Sequence, residues 1–145
     1  MFIGRECELR VLQETYEKPG FQMTVIYGRR RIGKSRLITE FIKDKKASYY
    51  IAAQSSLEDN VKKWGAQFVE DIVPEFTGVD FAGLESLFSF MVSNCKEDKL
   101  VIALDEIPYI AETDGSFLSR LQVAIDSIFS DKNIYFIIFF FSINT

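Results

Sequence analysis

One stretch of this sequence predicts the fold of the whole chain: Gly28-Arg29-Arg30-Arg31-Ile32-Gly33-Lys34-Ser35. It fits the pattern G-x-x-x-x-G-K-[ST], in which a glycine-rich loop wraps around an anion. An apolar run at residues 23–27 precedes it, and a helical pattern at residues 36–42 follows it. A strand, this loop and a helix in that order form the setting in which the pattern binds phosphate. The alternative is a glycine-rich turn that binds nothing, and the flanking strand and helix argue against it.

Each residue type in this loop has a physical task in holding a chain of phosphates. The glycines let the backbone curl so that successive N–H groups point at an anion, and the following helix adds its positive dipole end. Lys34 supplies a point charge to the β and γ phosphates, and the Ser35 hydroxyl is placed to bind Mg²⁺. ATP and Mg²⁺ are therefore the expected ligands.

Three arginines fill free positions of the loop. In one interpretation one of them contacts phosphate or a partner. In the other, which we favour, they point into solvent while the backbone holds the phosphate. The candidate binding set is the loop with the residue after it, namely Gly28, Arg29, Arg30, Arg31, Ile32, Gly33, Lys34, Ser35 and Arg36.

Composition and charge exclude several kinds of site. The chain has 17 Lys and Arg against 21 Asp and Glu, a net charge of −4, so charge gives no case for a nucleic-acid-binding face on this segment. A nucleic acid could still be the partner of another domain. The sequence has no histidine, which excludes a histidine general base and histidine-ligated zinc.

The two cysteines, Cys7 and Cys95, are far apart and have no metal-binding spacing, which favours reduced thiols in the cytoplasm. The charged N-terminus does not resemble a signal peptide. The apolar run at residues 134–141 is too short to cross a bilayer as a helix, so no membrane association is expected.

Strand patterns alternate with helical patterns along the chain, which predicts an α/β fold with a parallel sheet and helices on both faces. Within the helix at 57–72, with Ser56 as a candidate cap, the apolar stripe is interpreted as core rather than as a ligand site. The predicted helices are 5–17, 36–43, 57–72, 83–94 and 116–129, and the predicted strands are 22–27, 48–53, 100–104 and 134–141.

Two adjacent acids, Asp105 and Glu106, follow the strand predicted at 100–104. Ligands of such sheets bind beyond the carboxyl ends of the strands, where the glycine-rich loop also lies. Asp105 can bind Mg²⁺ directly or through water, and Glu106 can orient and deprotonate an attacking water. The alternative is that the two acids have no catalytic role and only lie in solvent at the end of the strand. An acid beside the metal ligand also argues against a kinase for a small molecule, whose second substrate supplies the hydroxyl.

Three segments together resemble the prokaryotic "archaeal ATPase" family, AAA+-like P-loop ATPases related to the signal-transducing ATPases with numerous domains. They are the entry segment Phe2-Ile3-Gly4-Arg5-Glu6-x-Glu8-Leu9, the glycine-rich loop, and Leu104-Asp105-Glu106-Ile107-Pro108-Tyr109. The resemblance extends to about residue 133. It implies a three-layer P-loop NTPase sandwich with a mostly parallel sheet, binding of ATP and Mg²⁺, a cytoplasmic location and often a fused nuclease-like domain.

The family also implies that the entry segment packs near the adenine, which makes Phe2 and Ile3 candidate binding residues. Simple packing of this segment onto the core is the alternative. The last strand departs from the family, whose small polar segment carries a sensor of the γ-phosphate; here Ser142 and Asn144 are the nearest substitutes, and neither is convincingly placed.

A fifth strand, a helical lid and an arginine finger have no counterpart in the sequence, so we expect residues 1–145 to form a partial AAA+-like domain, incomplete at the C-terminus. By the same resemblance, the last strand should lie between the strand of the glycine-rich loop and the strand of Asp105. The strand of the loop should then be a sheet edge.

The function that these patterns favour is Mg²⁺-dependent ATP hydrolysis coupled to conformational change, with Lys34 and Glu106 as the catalytic residues and Ser35 and Asp105 on the metal. A non-catalytic nucleotide-binding or interaction fragment is the alternative, because the missing elements put turnover by this chain in doubt. A P-loop nucleotide or metabolite kinase is a weaker one. Besides ATP, a second copy of the chain or a partner protein are the candidate partners.

Overall fold

The computed structural model of the chain describes residues 3–29, 34–95 and 98–142. A short 3₁₀ turn, Pro74–Phe76, follows the helix Leu57–Ile72, and a π-helical turn, Ile125–Phe129, continues the helix Phe117–Ala124. The elements alternate as predicted. In chain order they are α1 Ile3–Tyr16, β1 Gln22–Arg29, α2 Lys34–Ile42, β2 Ala47–Ile51, α3 Leu57–Ile72, α4 Leu84–Ser93, β3 Leu100–Asp105, α5 Ile107–Ala111, α6 Phe117–Ala124 and β4 Ile134–Ser142.

The four described strands form one sheet in the order β1-β4-β3-β2, and every neighbouring pair is parallel. The last strand of the chain therefore lies between the strand of the glycine-rich loop and the strand of Asp105, as predicted. Among the described residues, β1 pairs only with β4, which confirms the expected edge position. The fold is α/β with an all-parallel sheet.

Helices cover both faces of the sheet and produce two apolar cores. On one face, α1 and α2 pack against alternate residues of β3 and β4, among them Val101, Ala103, Tyr135, Ile137 and Phe139. On the other face, a larger core joins α3, α4 and α6 to the intervening strand residues. Both inner strands are covered on both sides, which explains why they read as unbroken apolar runs.

An aromatic cluster fills the larger core. Phe88 of α4 stacks on Phe129 with ring centroids 4.2 Å apart and planes at 6°, and both rings meet Phe136 of β4 edge-on. Trp64 of α3 meets Phe88 edge-on at 5.6 Å. The apolar stripe predicted on α3 is therefore core, as its interpretation required.

Several element bounds differ from the prediction. Strand β1 extends two residues further than predicted, because Gly28 and Arg29 pair with Phe141 and Ser142 of β4. Two residues predicted in β2 lie beyond its end. The predicted helix at 116–129 holds a widened π-helical turn at its end, and the short helix α5 was not predicted.

No helix in the described part of the chain is long and apolar enough to cross a membrane. Cys7 and Cys95 are both free thiols. Cys95 is partly buried, and its Sγ donates to the carbonyl of Asn133 over 3.0 Å.

Candidate functional site

The candidate site lies at the carboxyl edge of the sheet, where the ends of all four parallel strands meet. Val25, Ile138 and Leu104 are level across β1, β4 and β3, so β1 continues three residues beyond the level of Asp105. Those residues correspond to about 10 Å of strand. Strand β1 therefore ends beyond the level of Asp105.

Part of the predicted binding set lies outside the described residues, namely Phe2, Arg30, Arg31, Ile32 and Gly33, and so does Asn144, one of the two substitutes for the sensor. For a second group the backbone alone is described. Ile3 and Lys34 are the first residues of α1 and α2, and Gly28, Arg29 and Ser142 lie within strands. Gly28 and Arg29, predicted in the loop, are thus strand residues. Ser35 and Arg36 follow in the first turn of α2, both exposed.

Asp105 is a buried carboxylate, 1% exposed, at the last position of β3. Its Oδ1 accepts a hydrogen bond of 2.7 Å from the backbone N–H of Glu106. Its Oδ2 accepts one of 3.0 Å from the hydroxyl of Tyr49. A buried carboxylate is tolerated when donors replace the lost water, and these two donors do so.

Tyr49 lies beside the two residues that were predicted to bind the metal, Asp105 and Ser35. It lies opposite Ala103 on β2, so its ring shares the sheet face of Asp105 and its hydroxyl reaches forward to the strand end. Burial raises the pKa of Tyr49; a hydrogen bond with Ser35 opposes this rise, while the charges of Asp105 and Glu106 add to it. The hydroxyl of Tyr49 therefore contacts Asp105, with Ser35 beside it, and lies close enough to Glu106 to be influenced by its charge.

Glu106 has an unusual backbone conformation. Its φ of 61° and ψ of 40° lie in the left-handed helical region, and no other non-glycine residue in the described ranges has a positive φ. It is the cap residue that precedes α5, and it is half-buried. A glutamate in this region carries strain, which occurs most often at functional sites.

The loop between β2 and α3, residues 52–56, borders the same edge and is held by Asn60. The Asn60 side chain accepts from the Ala53 N–H at 2.8 Å and donates to the carbonyls of Ala53 at 3.0 Å and Ser56 at 2.9 Å. Thr113, just beyond α5, donates to the carbonyl of Ser55 at 2.9 Å. The loop is thereby tied to the segment that follows Glu106.

The oxygen donors at this edge fit a magnesium ion. Mg²⁺ in proteins is usually held by one or two carboxylates or hydroxyls, with phosphate oxygens and water completing its shell. Asp105 and Ser35 supply donors of this kind. Within the described ranges no group of three His, Cys, Asp or Glu residues could hold a metal ion alone.

Sequence reasoning missed Tyr49 and Asn60. A tyrosine inside an apolar strand reads as core, and its reach to Asp105 depends on a strand register that the sequence does not reveal. Asn60 lies between apolar positions of an amphipathic helix, where a polar residue normally faces water. A sequence signal for Asn60 was its position one helical turn after the cap Ser56. The Oγ of Ser56 accepts from the Asp59 N–H at 3.0 Å.

Comparison with known proteins identifies relatives along nearly the whole chain. An uncharacterized protein of Methanocaldococcus jannaschii, MJECL04, is 32% identical over 126 residues, which are 87% of this chain and 26% of that protein. This chain therefore spans about a quarter of that relative.

Two solved structures share the fold. The Walker-type ATPase PABY2304 of Pyrococcus abyssi superposes with a TM-score of 0.68 at 20% identity, over 94% of this chain and 44% of that chain. The Orc1 protein of Aeropyrum pernix in complex with DNA gives 0.59 at 22% identity, over 96% and 39%. At these identities the likeness concerns the fold alone.

The family model that matches is described as an ATPase domain predominantly from Archaea, and the match runs from residue 2 to residue 144. This agrees with the family that the three sequence segments resemble. Nucleotide binding and ATPase chemistry are the properties common to such a family. Because the match covers almost the whole sequence, the chain belongs to this family of archaeal ATPase domains.

Proposed function

We propose that this domain binds ATP with Mg²⁺ and hydrolyses it, and that hydrolysis is coupled to a conformational change. The observation that carries the proposal is the buried carboxylate of Asp105, which accepts from the hydroxyl of Tyr49 over 3.0 Å, with Ser35 beside that hydroxyl and Glu106 next along the chain. Ser35 comes from the first turn of the helix after the phosphate loop, and Asp105 lies at the end of β3. Membership of the ATPase family supports the same reaction.

In this proposal each residue has a separate role. Lys34 and the loop amides hold the β and γ phosphates at the N-terminal end of α2. Ser35 and Asp105 hold the metal, and bound Mg²⁺ would supply charge neutralisation on the phosphates. Glu106 orients the attacking water and accepts its proton. The strained backbone of Glu106 supports such a role, because it fixes the direction of the Glu106 side chain just before α5 begins.

The setting proposed for this reaction is the cytoplasm, which the free thiols Cys7 and Cys95 support. Because the chain spans only part of its relatives, the coupled partner is a proposal as well. A second copy or another protein remains the candidate. The Orc1 protein is in complex with DNA. The net charge of −4 on this chain gives no electrostatic support for proposing DNA as its partner.

The test compares the unmodified chain with Lys34→Ala by calorimetry and by a phosphate-release assay. The proposal expects ATP binding and slow phosphate release without any acceptor, both lost in Lys34→Ala. Lys43→Ala is the matched control, because it also removes one positive charge, from an exposed side chain just beyond the far end of α2. Binding without release would favour the non-catalytic alternative, and phosphate transfer only with an acceptor would favour a kinase. Equal ATP affinity in the chain and in Lys34→Ala would contradict the assignment of the loop.

A further inference from the structure

Helix α5 is held on both sides by the loop between β2 and α3. Before the helix, the carbonyl of Asp105 accepts a hydrogen bond of 2.9 Å from the N–H of Ala52. Beyond the helix, the hydroxyl of Thr113 donates to the carbonyl of Ser55 over 2.9 Å. The loop therefore spans α5, from two positions before the helix to the second residue after it.

Thr113 connects the end of the helix to this loop. Its hydroxyl also lies 3.0 Å from the carbonyl of Ile110, in the last turn of α5. That carbonyl already accepts from two backbone N–H groups, those of Thr113 at 3.0 Å and of Asp114 at 2.9 Å. Because a carbonyl oxygen has two lone pairs, the single hydroxyl proton is directed to Ser55.

The loop itself is held in place from the interior by Asn60, which is 0% exposed. The side chain of Asn60 bonds both polar backbone groups of Ala53 and the carbonyl of Ser56, and its amide nitrogen lies 3.3 Å from the carbonyl of Ser55. A buried side chain with this many partners makes its surroundings rigid. The carbonyl that accepts from Thr113 therefore belongs to a fixed segment.

Helix α5 needs an external support of this kind. It has five residues, too few for a helix to be stable by itself. Ile107 and Ile110 are 0% exposed in the larger core, which fixes the depth of the helix, while its other side is partly exposed. The left-handed backbone of Glu106 is strained and persists only where surrounding contacts hold it. Release of the far end of α5 would let this strain relax by turning the helix.

We propose that Thr113 positions Glu106: by donating to the carbonyl of Ser55, it holds the far end of α5 and keeps the Glu106 carboxylate where it meets the attacking water. The inference rests on the proposed function, in which Glu106 is the base. Thr113 is a positioning residue, because it acts through α5. Loss of its hydroxyl leaves the phosphate loop in place, so nucleotide binding persists while proton transfer slows.

The experiment measures kcat and KM for phosphate release from ATP in the unmodified chain, in Thr113→Val and in Thr113→Ser. Valine keeps the branched shape and removes the hydroxyl, whereas serine keeps the hydroxyl. A displacement of about 1 Å can cost about 100-fold in rate, so a displacement of about 0.3–0.5 Å should lower the kcat of Thr113→Val about three- to tenfold. KM should stay unchanged, and Thr113→Ser should retain most of the original kcat.

The matched control is Thr77→Val. Thr77 is another exposed threonine whose hydroxyl donates to a backbone carbonyl, that of Pro74 at 2.7 Å, and it lies outside α5 and the loop. This variant should leave kcat and KM as they are in the unmodified chain. Hydrogen exchange gives a readout that does not depend on turnover. The amides of residues 107–113 should exchange faster in Thr113→Val, and at the original rate in Thr113→Ser and Thr77→Val.

The outcomes separate the two proposals. If the unmodified chain releases no phosphate from ATP, the proposed function is wrong and the positioning role falls with it. If it releases phosphate and Thr113→Val has the same kcat, the proposed function stands and the positioning role alone is overturned, whatever the rate of hydrogen exchange. A change confined to KM, or a fall in kcat that Thr113→Ser shares in full, would overturn the positioning role as well.

Discussion

The hydroxyl of Tyr50 donates a hydrogen bond of 2.6 Å to the side-chain oxygen of Asn60, and both groups are buried. The same oxygen accepts from the Ala53 N–H, and the amide nitrogen donates to carbonyls of the loop. One side chain therefore satisfies most of the polar groups that the loop after β2 brings into the interior. The ring of Tyr50 also stacks on Trp64, with centroids 5.8 Å apart.

The first prediction concerns Asn60→Ala, which should lower the free energy of unfolding by about 2–3 kcal/mol. The loss comes from the buried hydroxyl and loop groups left without partners. Urea denaturation followed by the fluorescence of Trp64, the sole tryptophan, provides the measurement. Gln67→Ala is the control, because Gln67 bonds only Asp71 at the surface of the same helix. Equal losses in the two variants would contradict the role given to Asn60.

The second prediction concerns the carboxylate of Glu106. Glu106→Gln keeps the shape of the side chain and removes the base, so ATP binding should persist while phosphate release falls by at least about 100-fold. Glu112→Gln, at the exposed far end of α5, should release phosphate at the rate of the unmodified chain. Unchanged release by Glu106→Gln would show that another group accepts the proton.

The third prediction concerns the strained backbone at Glu106. Glycine adopts left-handed φ values without cost, so Glu106→Gly should raise the free energy of unfolding by about 0.5–1 kcal/mol while abolishing turnover. Glu112 has a helical φ of −67° and ψ of −32°, so Glu112→Gly should lower it by a similar amount. Denaturant titrations of both variants test the opposite signs. A loss of stability in Glu106→Gly would mean that its conformation is not strained.

The fourth prediction concerns the open side of β1. Tyr27 is 77% exposed on this strand and stacks only loosely on Phe140, with centroids 5.8 Å apart. An exposed edge strand promotes association between chains, so we expect this chain to self-associate. Tyr27→Lys should reduce association measured by light scattering, because a charge opposes edge pairing. Val123→Lys changes a comparably exposed residue, 60%, on helix α6 and should have a smaller effect. A wild-type chain that stays monomeric at high concentration would contradict the prediction.

Much of the fold could be predicted because local patterns and long-range packing agree. Helix α3 has the predicted bounds, 57–72, because its apolar stripe and its cap Ser56 coincide with the buried face and the observed start. The order of the strands followed from the family resemblance and not from periodicity. The structure confirms it in the register of Val25 with Ile138 and of Ile138 with Leu104.

The remaining features depend on relationships between distant segments. The extension of β1 to Arg29 requires Phe141 and Ser142 to lie beside it, which no local signal announces. The left-handed conformation of Glu106 has no sequence signal, since glutamate is not a residue that favours it. The pairing of Tyr49 with Asp105 joins residues 56 positions apart and depends on the register of two strands.

The position of β4 has a consequence for the order in which the protein is made. This strand is the last of the four described strands along the chain, yet it lies between β1 and β3. Its residue Tyr135, for example, pairs with Gln22 of β1. Until residues 134–142 have been synthesised, β1 and β3 cannot be joined in one sheet through β4, the strand that lies between them in the described sheet. The edges of β1 and β3 that pair with β4 stay without this partner until β4 has been made, and unpaired strand edges favour association between chains.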